Sequence, residues 1–281
     1  MNLSSLLPLI ATVVYIPLMM SAVGSRPWQK RGKLFIAYLT LAMAWSFVDF
    51  FYRDLLFKQY TQIFGHIIIA LFLTTATTFY LFLSLFFPEG KSRWHIFAIV
   101  YIILVSGLSL AGIPSAGVDI VGHELFPHYS IWIYPMIAPL LVLAIRSLYL
   151  LIKRLKSADN PVIYNQTSSL LLCLGSLIIF SFSALLPWAK EYPISHVGNL
   201  LNGFILSYAV VRHNLIDIKI VVRQGTAWFG LGLIGVACFL LLLSIANNIL
   251  NMDIVSCLLP VSKNGKWLLL QSKMSKDRNH S

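Results

Sequence analysis

Charged residues are scarce in this sequence of 281 residues, and cysteine is scarcer still. Asp, Glu, Lys and Arg make up 11% of the chain, whereas a typical soluble domain has about 25%. Such a small charged fraction excludes an ordinary water-soluble domain. The three cysteines form neither a CxxC pair nor a Cys/His pattern, so we expect no disulfide framework and no metal site. They are Cys173, Cys238 and Cys257.

The usual catalytic motifs are also missing from the sequence. It contains no P-loop, no GxSxG, no HExxH and no GxGxxG after a predicted strand. An intramembrane enzyme would instead need paired acidic or histidine side chains deep in its spans, and Asp49 is the only acidic residue well inside a predicted span. We therefore predict that the chain is not an enzyme and uses no cofactor.

Long apolar runs dominate the sequence, which is 58% hydrophobic with a mean hydropathy of +0.80. About 20 apolar residues cross the hydrocarbon core of a bilayer, so seven or eight spans with short loops fit into the chain. We predict an all-α, polytopic transmembrane helical bundle with a seven-helix core and an eighth helix. Charge, proline and glycine clusters bound the candidate spans at 5–24, 34–52, 66–87, 96–113, 130–152, 170–187, 197–216 and 226–250.

The predicted organisation has three parts. Residues 1–224 form a seven-helix membrane domain, 225–250 an additional transmembrane or re-entrant helix, and 251–281 a short basic tail. The composition changes abruptly at about Leu259, which suggests a truncated or frame-shifted end. The N-terminal apolar run lacks the basic residues and the cleavage site of a signal peptide, so we expect it to be retained as a span.

Lys and Arg are distributed unevenly between alternate loops. The loops on the side reached after the first span carry thirteen of them, and the loops on the other side carry three. Because cytoplasmic loops are enriched in Lys and Arg, we predict a multi-pass protein of the cell inner (plasma) membrane with its N-terminus outside. The same bias explains the net charge of +11 without nucleic acid, and it predicts contact with anionic headgroups at the cytoplasmic face.

Polar residues in and beside the spans are the candidates for a ligand site. Asp49 lies near the outer end of the second span, and Arg53, one helical turn later, could pair with it. The pair is either an interfacial cap of the helix or part of a ligand or proton site, since a carboxylate in hydrocarbon tends to mark a functional interior. His66 and Tyr134, near the starts of the third and fifth spans, are two further candidates.

Asn199 and Asn202 complete the candidate ligand-binding set. Together with Arg212 they make the seventh span the weakest by hydropathy. The outward loop from Pro114 to Tyr129 has no Lys or Arg, and it is one of the longer connections. We predict that this loop is a lid over an extracellular cavity.

One segment carries a resemblance to a known family. The sequence Tyr208-Ala-Val-Val-Arg-His-Asn-Leu-Ile-Asp-Ile-Lys-Ile-Val-Val-Arg223, preceded by Asn199 and Gly203, resembles the end of the N-terminal seven-helix sensor region found ahead of bacterial histidine kinases and some diguanylate cyclases. Phe86-Phe87-Pro88-Glu89, at the end of the third span, resembles that family's Phe-Pro step, and the stretch from Trp132 to Pro139 resembles its fifth helix. The resemblance covers about residues 1 to 230.

The resemblance implies a sensor or receptor module of a two-component signal transduction system. It implies a small or lipidic ligand taken from the outer side, signal transmission through Tyr208, Arg212, Asp217 and Arg223, and a homodimer. No phospho-acceptor helix, ATP-binding module or cyclase domain follows Trp228, so a cytoplasmic signalling domain would act in trans. A small transporter or lipid-handling membrane protein, and a purely structural membrane subunit, are the alternatives.

Overall fold

The computed structural model describes most of the membrane domain. The chain divides into two units, Met1–Gly235 and Val236–Ser281, and every described residue belongs to the first. The predicted eighth helix, except for Gly235, and the predicted tail lie outside the described residues and stay predictions. The described residues are 3–24, 29–54, 58–87, 93–121, 124–183 and 194–213, with Leu215 and Gly235 as single positions.

Seven α-helices and one β-hairpin form the described part of the chain. Each helix coincides with a long apolar run, and charged or turn-forming residues separate the runs. A short 3₁₀ turn, Lys58–Tyr60, leads into the third helix. The helices are α1 (Leu3–Gly24), α2 (Lys30–Arg53), α3 (Thr61–Ser84), α4 (Arg93–Leu110), α5 (Ile133–Lys156), α6 (Pro161–Ser183) and α7 (Ile194–His213).

Six of these helices, α1 to α6, are long and apolar enough to cross a membrane. This confirms the predicted membrane class and the helical bundle. Helix α7 is not among the six. A core of seven spans is therefore not confirmed.

The helices pack in a ring with one helix outside it. Neighbours in sequence contact each other from α1 to α3, α5 lies against α3, α6 follows α5, and α7 returns to α1 and closes the ring. Helix α4 packs outside the ring against α3 and α5, where the Tyr101 hydroxyl donates a hydrogen bond to the carbonyl of Met136. This order makes α7 a direct neighbour of both α1 and α6.

The two ends of the bundle differ in character. At the basic end, where α3 and α5 finish, Arg31 and Arg154 donate hydrogen bonds to the carbonyls of Leu85 and Phe86. Cationic side chains stabilise the partial negative charge of a helix C-terminus, so these two arginines cap α3. Beside them lies a closely packed aromatic and aliphatic core that includes Phe35, Phe79, Phe82, Leu151, Leu206 and Val210.

The opposite end, the hairpin end, contains strands β1 (Ser115–Val121) and β2 (Glu124–Tyr129). The strands pair antiparallel, with Val121 opposite Glu124 and a connection of two residues. The segment predicted as an outward loop thus contains a hairpin, while the described part of the chain remains all-α in class. The β-branched residues of its strands favour strand pairing.

Close packing between α6 and α7 depends on Gly198. A Cβ added there would lie 2.5 Å from the Cβ of Phe180, so one of the two backbones would have to move. We predict that Gly198→Ala destabilises the protein by about 1 to 3 kcal/mol, as overpacking does elsewhere. Thermal unfolding in detergent measures the loss.

Gly175→Ala is the matched control for this substitution, since an added Cβ on Gly175 of α6 meets nothing within 4 Å. Alanine has the higher helix propensity, so this variant should keep or raise the unfolding midpoint. Equal unfolding midpoints for the two variants would contradict the packing that the structure gives to α7.

Candidate functional site

A cavity of about 530 Å³ opens at the hairpin end. The hairpin covers it with Val118, Leu125 and Tyr129, while α2, α3, α5, α6 and α7 supply the remaining walls. The segment predicted as a lid therefore does lie over a cavity. The polar part of the wall comes from Asp49, Arg53, Ser181, Ser195 and His196 together with hairpin residues.

Asp49 is the centre of the polar wall. Its side chain is buried, and a single oxygen, Oδ2, accepts from Arg53 Nε at 2.7 Å and lies 2.9 Å from His196 Nε2. The bond to Arg53 is the predicted contact between residues four apart on one helix. The bond to His196 joins α2 to α7. Asp49 thus has the two partners that a carboxylate in an apolar bundle needs.

His196 is held on three sides by α2. Trp45 stacks on the imidazole with ring centroids 4.4 Å apart, and Ser46 Oγ lies 3.3 Å from Nδ1. Because Asp49 can only accept, His196 Nε2 donates to it, and Nδ1 lies within hydrogen-bond distance of the Ser46 hydroxyl. The position of the ring is therefore set by α2.

The hydrogen bonds continue inward from Ser46. Asn199 Nδ2 donates to Ser46 Oγ at 2.8 Å, and the Tyr15 hydroxyl donates to Asn199 Oδ1 at 2.7 Å. Asn202 Nδ2 donates to the hydroxyls of Tyr15 and Tyr38. We call the set from Arg53 to Asn202 the polar network: Arg53, Asp49, His196, Ser46, Asn199, Tyr15, Tyr38 and Asn202.

The polar network reaches about halfway through the bundle. Asp49 and Tyr38 are separated by about 16 Å along α2, since a helix rises 1.5 Å per residue. Beyond Tyr38 the ring of Phe79 packs against it, with centroids 4.9 Å apart, and the aromatic core follows. Asn202 Oδ1, at the inner end, has no hydrogen-bond partner among the described residues.

Ser46, His196 and Asp49 contain the groups of a serine hydrolase triad, but their placement differs from one. A nucleophile must be reached by the substrate. Ser46 is fully buried, does not line the cavity, and its hydroxyl is engaged by both His196 and Asn199. In this structure the three residues fasten α7 to α2.

The predicted ligand residues occupy three different environments. Asp49 and Tyr134 line the cavity, and Tyr134 is 70% exposed. Asn199 and Asn202 lie behind the wall, in the polar network. His66 does not line the cavity. Its ring lies against Gly112, which has a backbone φ of +80°, and a Cβ added to Gly112 would lie 3.0 Å from the ring. Its Nε2 is buried without a partner in the described part of the chain.

The predicted transmission residues lie at the basic end as far as they are described. Tyr208 is exposed, and its ring meets His213 edge to face at 5.2 Å. Arg212 is exposed beside it. Asp217 and Arg223 lie outside the described residues, so their role stays a prediction.

The main residue that sequence reasoning missed is His196. It begins a stripe at every third position of α7, His196, Asn199 and Asn202, in an otherwise apolar stretch. Positions three apart share one face of a helix, so this spacing was the available signal. Trp45 and Ser46, both near Asp49 on α2, gave no comparable signal because aromatic and serine residues are common in membrane helices.

We predict that Asp49→Asn destabilises the protein by about 3 to 5 kcal/mol, because it leaves Arg53 and His196 without their buried carboxylate. Asp119→Asn is the matched control: Asp119 also pairs with a histidine, His128, at 2.8 Å, but both side chains are more than half exposed. An exposed pair contributes about 0 to 1 kcal/mol. Chemical unfolding in detergent measures the loss of stability in each variant, and similar losses in the two variants would contradict the proposed burial of Asp49.

Comparison with protein-family models finds no match for this sequence, and comparisons with the curated proteins and with the solved structures find none either.

Proposed function

We propose that this chain is the membrane-embedded sensor module of a bacterial signal-transduction protein of the histidine-kinase type. A ligand in the cavity at the hairpin end would shift α7, and α7 would carry that shift to the basic end. One observation carries the proposal: His196 of α7 forms part of the cavity wall and is bonded there to Asp49 and Ser46 of α2.

The first step is the change at the cavity wall. A ligand that competes for Asp49 or Arg53, or that presses on the stacked pair of Trp45 and His196, alters the contacts between α2 and α7. The contacts of α7 with α2 in this region are polar and directional, so a small displacement breaks them one after another. The position of α7 is therefore coupled to what occupies the cavity.

The second step is the movement of α7 as one body. Gly198 and Gly203 let α7 approach its neighbours closely, since added Cβ atoms would lie 2.5 Å from Phe180 and 3.0 Å from Val14. Close packing of this kind favours sliding or rotation of the whole helix by about 1 to 2 Å over local bending. At its other end α7 is joined to α6 by a hydrogen bond from Gln166 Nε2 to the carbonyl of His213, 2.9 Å long.

The packed aromatic core supports a sensor over the alternative of a small transporter. Alternating access needs a route that opens to both sides. In the described part of the chain, the polar network ends at Tyr38 and the basic half of the ring is filled by buried apolar side chains such as Phe35, Phe82 and Leu206. A helix movement can pass through such a core, whereas a solute would need a large rearrangement.

Several finer features belong to the same proposal. The hairpin end faces outward and the basic end faces the cytoplasm of the plasma membrane, as the distribution of Lys and Arg indicates. Helix α7 completes a seven-helix core, residues 225–250 add an eighth helix, and the module works as a homodimer with a signalling domain in trans. Tyr208, Arg212, Asp217 and Arg223 would transmit the movement, with the cations at the anionic headgroups.

The proposal predicts that filling the cavity from a helix other than α7 moves the basic end of α7. Ile68→Trp, on α3, places a large side chain in the cavity. We expect the distance between spin labels at Tyr208→Cys and Tyr164→Cys, both exposed in the native protein, to shift by about 1 to 2 Å or to broaden. Double electron–electron resonance on the full chain in nanodiscs, with the native cysteines replaced, measures this distance.

Two controls accompany this measurement. Ile63→Trp adds the same side chain to α3 at a position that is 54% exposed and outside the cavity, and it should leave the distance unchanged. Labels at Tyr149→Cys and Tyr164→Cys measure the distance between α5 and α6, and Ile68→Trp should leave this distance unchanged. An α7 distance that stays the same when the cavity is filled would contradict the sensor proposal.

A further inference from the structure

A narrow apolar crevice adjoins the cavity between α3, α5 and α6. Phe72, Ile137 and Ser181 line both spaces, so they mark the place where the crevice meets the cavity. Along α5 the crevice extends from Ile137 to Ser147, which is about 15 Å along the helix. Its remaining lining is almost entirely apolar and includes Ala76, Leu140, Ala144, Leu174 and Phe182.

The crevice runs along a helix that can span the membrane, which is also the direction of the acyl chains in a bilayer. It follows the axis of a helix that is long and apolar enough to cross the membrane, and it leads from the hairpin end toward the middle of the bundle. An apolar crevice that follows a helix in this way can take up the methylene groups of an extended hydrocarbon chain. The chain would exchange one apolar environment for another, so selectivity has to come from a polar group at the cavity end.

Arg53 supplies a polar group suited to this purpose. Its Nε is bonded to Asp49, while no hydrogen bond to the terminal Nη1 and Nη2 nitrogens is present in the described part of the chain. Arg53 lines the cavity, and its side chain is 20% exposed. Two adjacent guanidinium nitrogens match the two oxygens of a carboxylate in a planar, bidentate pair.

The surrounding charges allow such an anion. The charge of Asp49 is already engaged by Arg53 and His196. Asp119 is paired with His128, which lines the cavity. From Arg53 the wall continues through His196 and Trp45 to Phe72, whose ring lies 5.3 Å from that of Trp45. The guanidinium and the mouth of the crevice are therefore parts of one continuous wall.

We infer that the cavity and the crevice together bind a long-chain fatty acid, with its carboxylate on the terminal nitrogens of Arg53 and its hydrocarbon chain past Phe72 in the crevice. This inference rests on the proposed function, for which it names the ligand. The bound carboxylate would compete with Asp49 for Arg53, which is the contact that helps to hold His196 and α7 in place.

The test is equilibrium binding of radiolabelled palmitate to the full chain in phosphatidylcholine nanodiscs. We expect saturable binding, and we expect hexadecanol, which has the same chain without the charge, to compete at least about tenfold more weakly. Arg53→Lys keeps the charge but loses the planar guanidinium group, and it should also weaken palmitate binding about tenfold. Lys58→Gln is the control, because Lys58 is an exposed neighbouring cation that does not line the cavity.

A second pair of variants tests the crevice. Ala144→Phe fills the deep part of the crevice, and Ala138→Phe adds the same ring to an exposed position of the same helix. We expect Ala144→Phe to weaken palmitate binding at least about tenfold while octanoate binding changes little, because the shorter chain does not reach Ala144. Misfolding would weaken the binding of both acids equally, so the ratio of the two affinities distinguishes a blocked crevice from a misfolded protein.

Three results would overturn the inference: no saturable palmitate binding, hexadecanol competing as well as palmitate, or an unchanged palmitate-to-octanoate ratio in Ala144→Phe. These outcomes are distinct from failure of the sensor proposal. Palmitate that binds as expected without moving α7 would remove the sensor role and keep the ligand. Movement of α7 on filling the cavity, without palmitate binding, would remove the ligand and keep the sensor.

Discussion

The arrangement of α7 depends on one buried carboxylate. Asp49 lies in an apolar bundle, where an isolated charge is costly, and its oxygen Oδ2 is shared between Arg53 on its own helix and His196 on α7. The bond to His196 fixes the rotation of α7 about its axis, because the imidazole must also stack on Trp45 and meet Ser46. Asn199 and Asn202 then fall on the same face and reach Tyr15 and Tyr38.

This constraint divides the bundle into two halves with different properties. Hydrogen bonds in the half near the hairpin are directional, while dispersion forces hold the helices of the aromatic half at fixed distances. The cavity lies in the first half, and the capped C-terminus of α3 closes the second. The sensor proposal rests on this division, with the ligand at the polar half and the response at the packed half.

Local patterns were predicted well from the sequence, and long-range contacts were not. Most helix ends could be placed within about five residues, because apolar runs and their charged boundaries are local features, but α6 begins at Pro161 and not at the predicted residue 170. Asp49 and Arg53 could be paired from their spacing alone. The contact between Ser46 and His196 joins residues 150 positions apart, so no local pattern reveals it. The hairpin was not predicted, although its strands of seven and six residues have an ordinary length. The His66 ring lies against the turn at Gly112, a contact that no local pattern reveals.

The coupling energy between Asp49 and His196 is the most direct test of this account. A double-mutant cycle with Asp49→Asn, His196→Phe and the double variant, measured by unfolding in detergent, separates the pairwise interaction from the individual losses. Residues in direct contact within one network should show a coupling of about 1 to 3 kcal/mol. Additive losses, within about 0.5 kcal/mol, would contradict the claim that this bond holds α7 to α2.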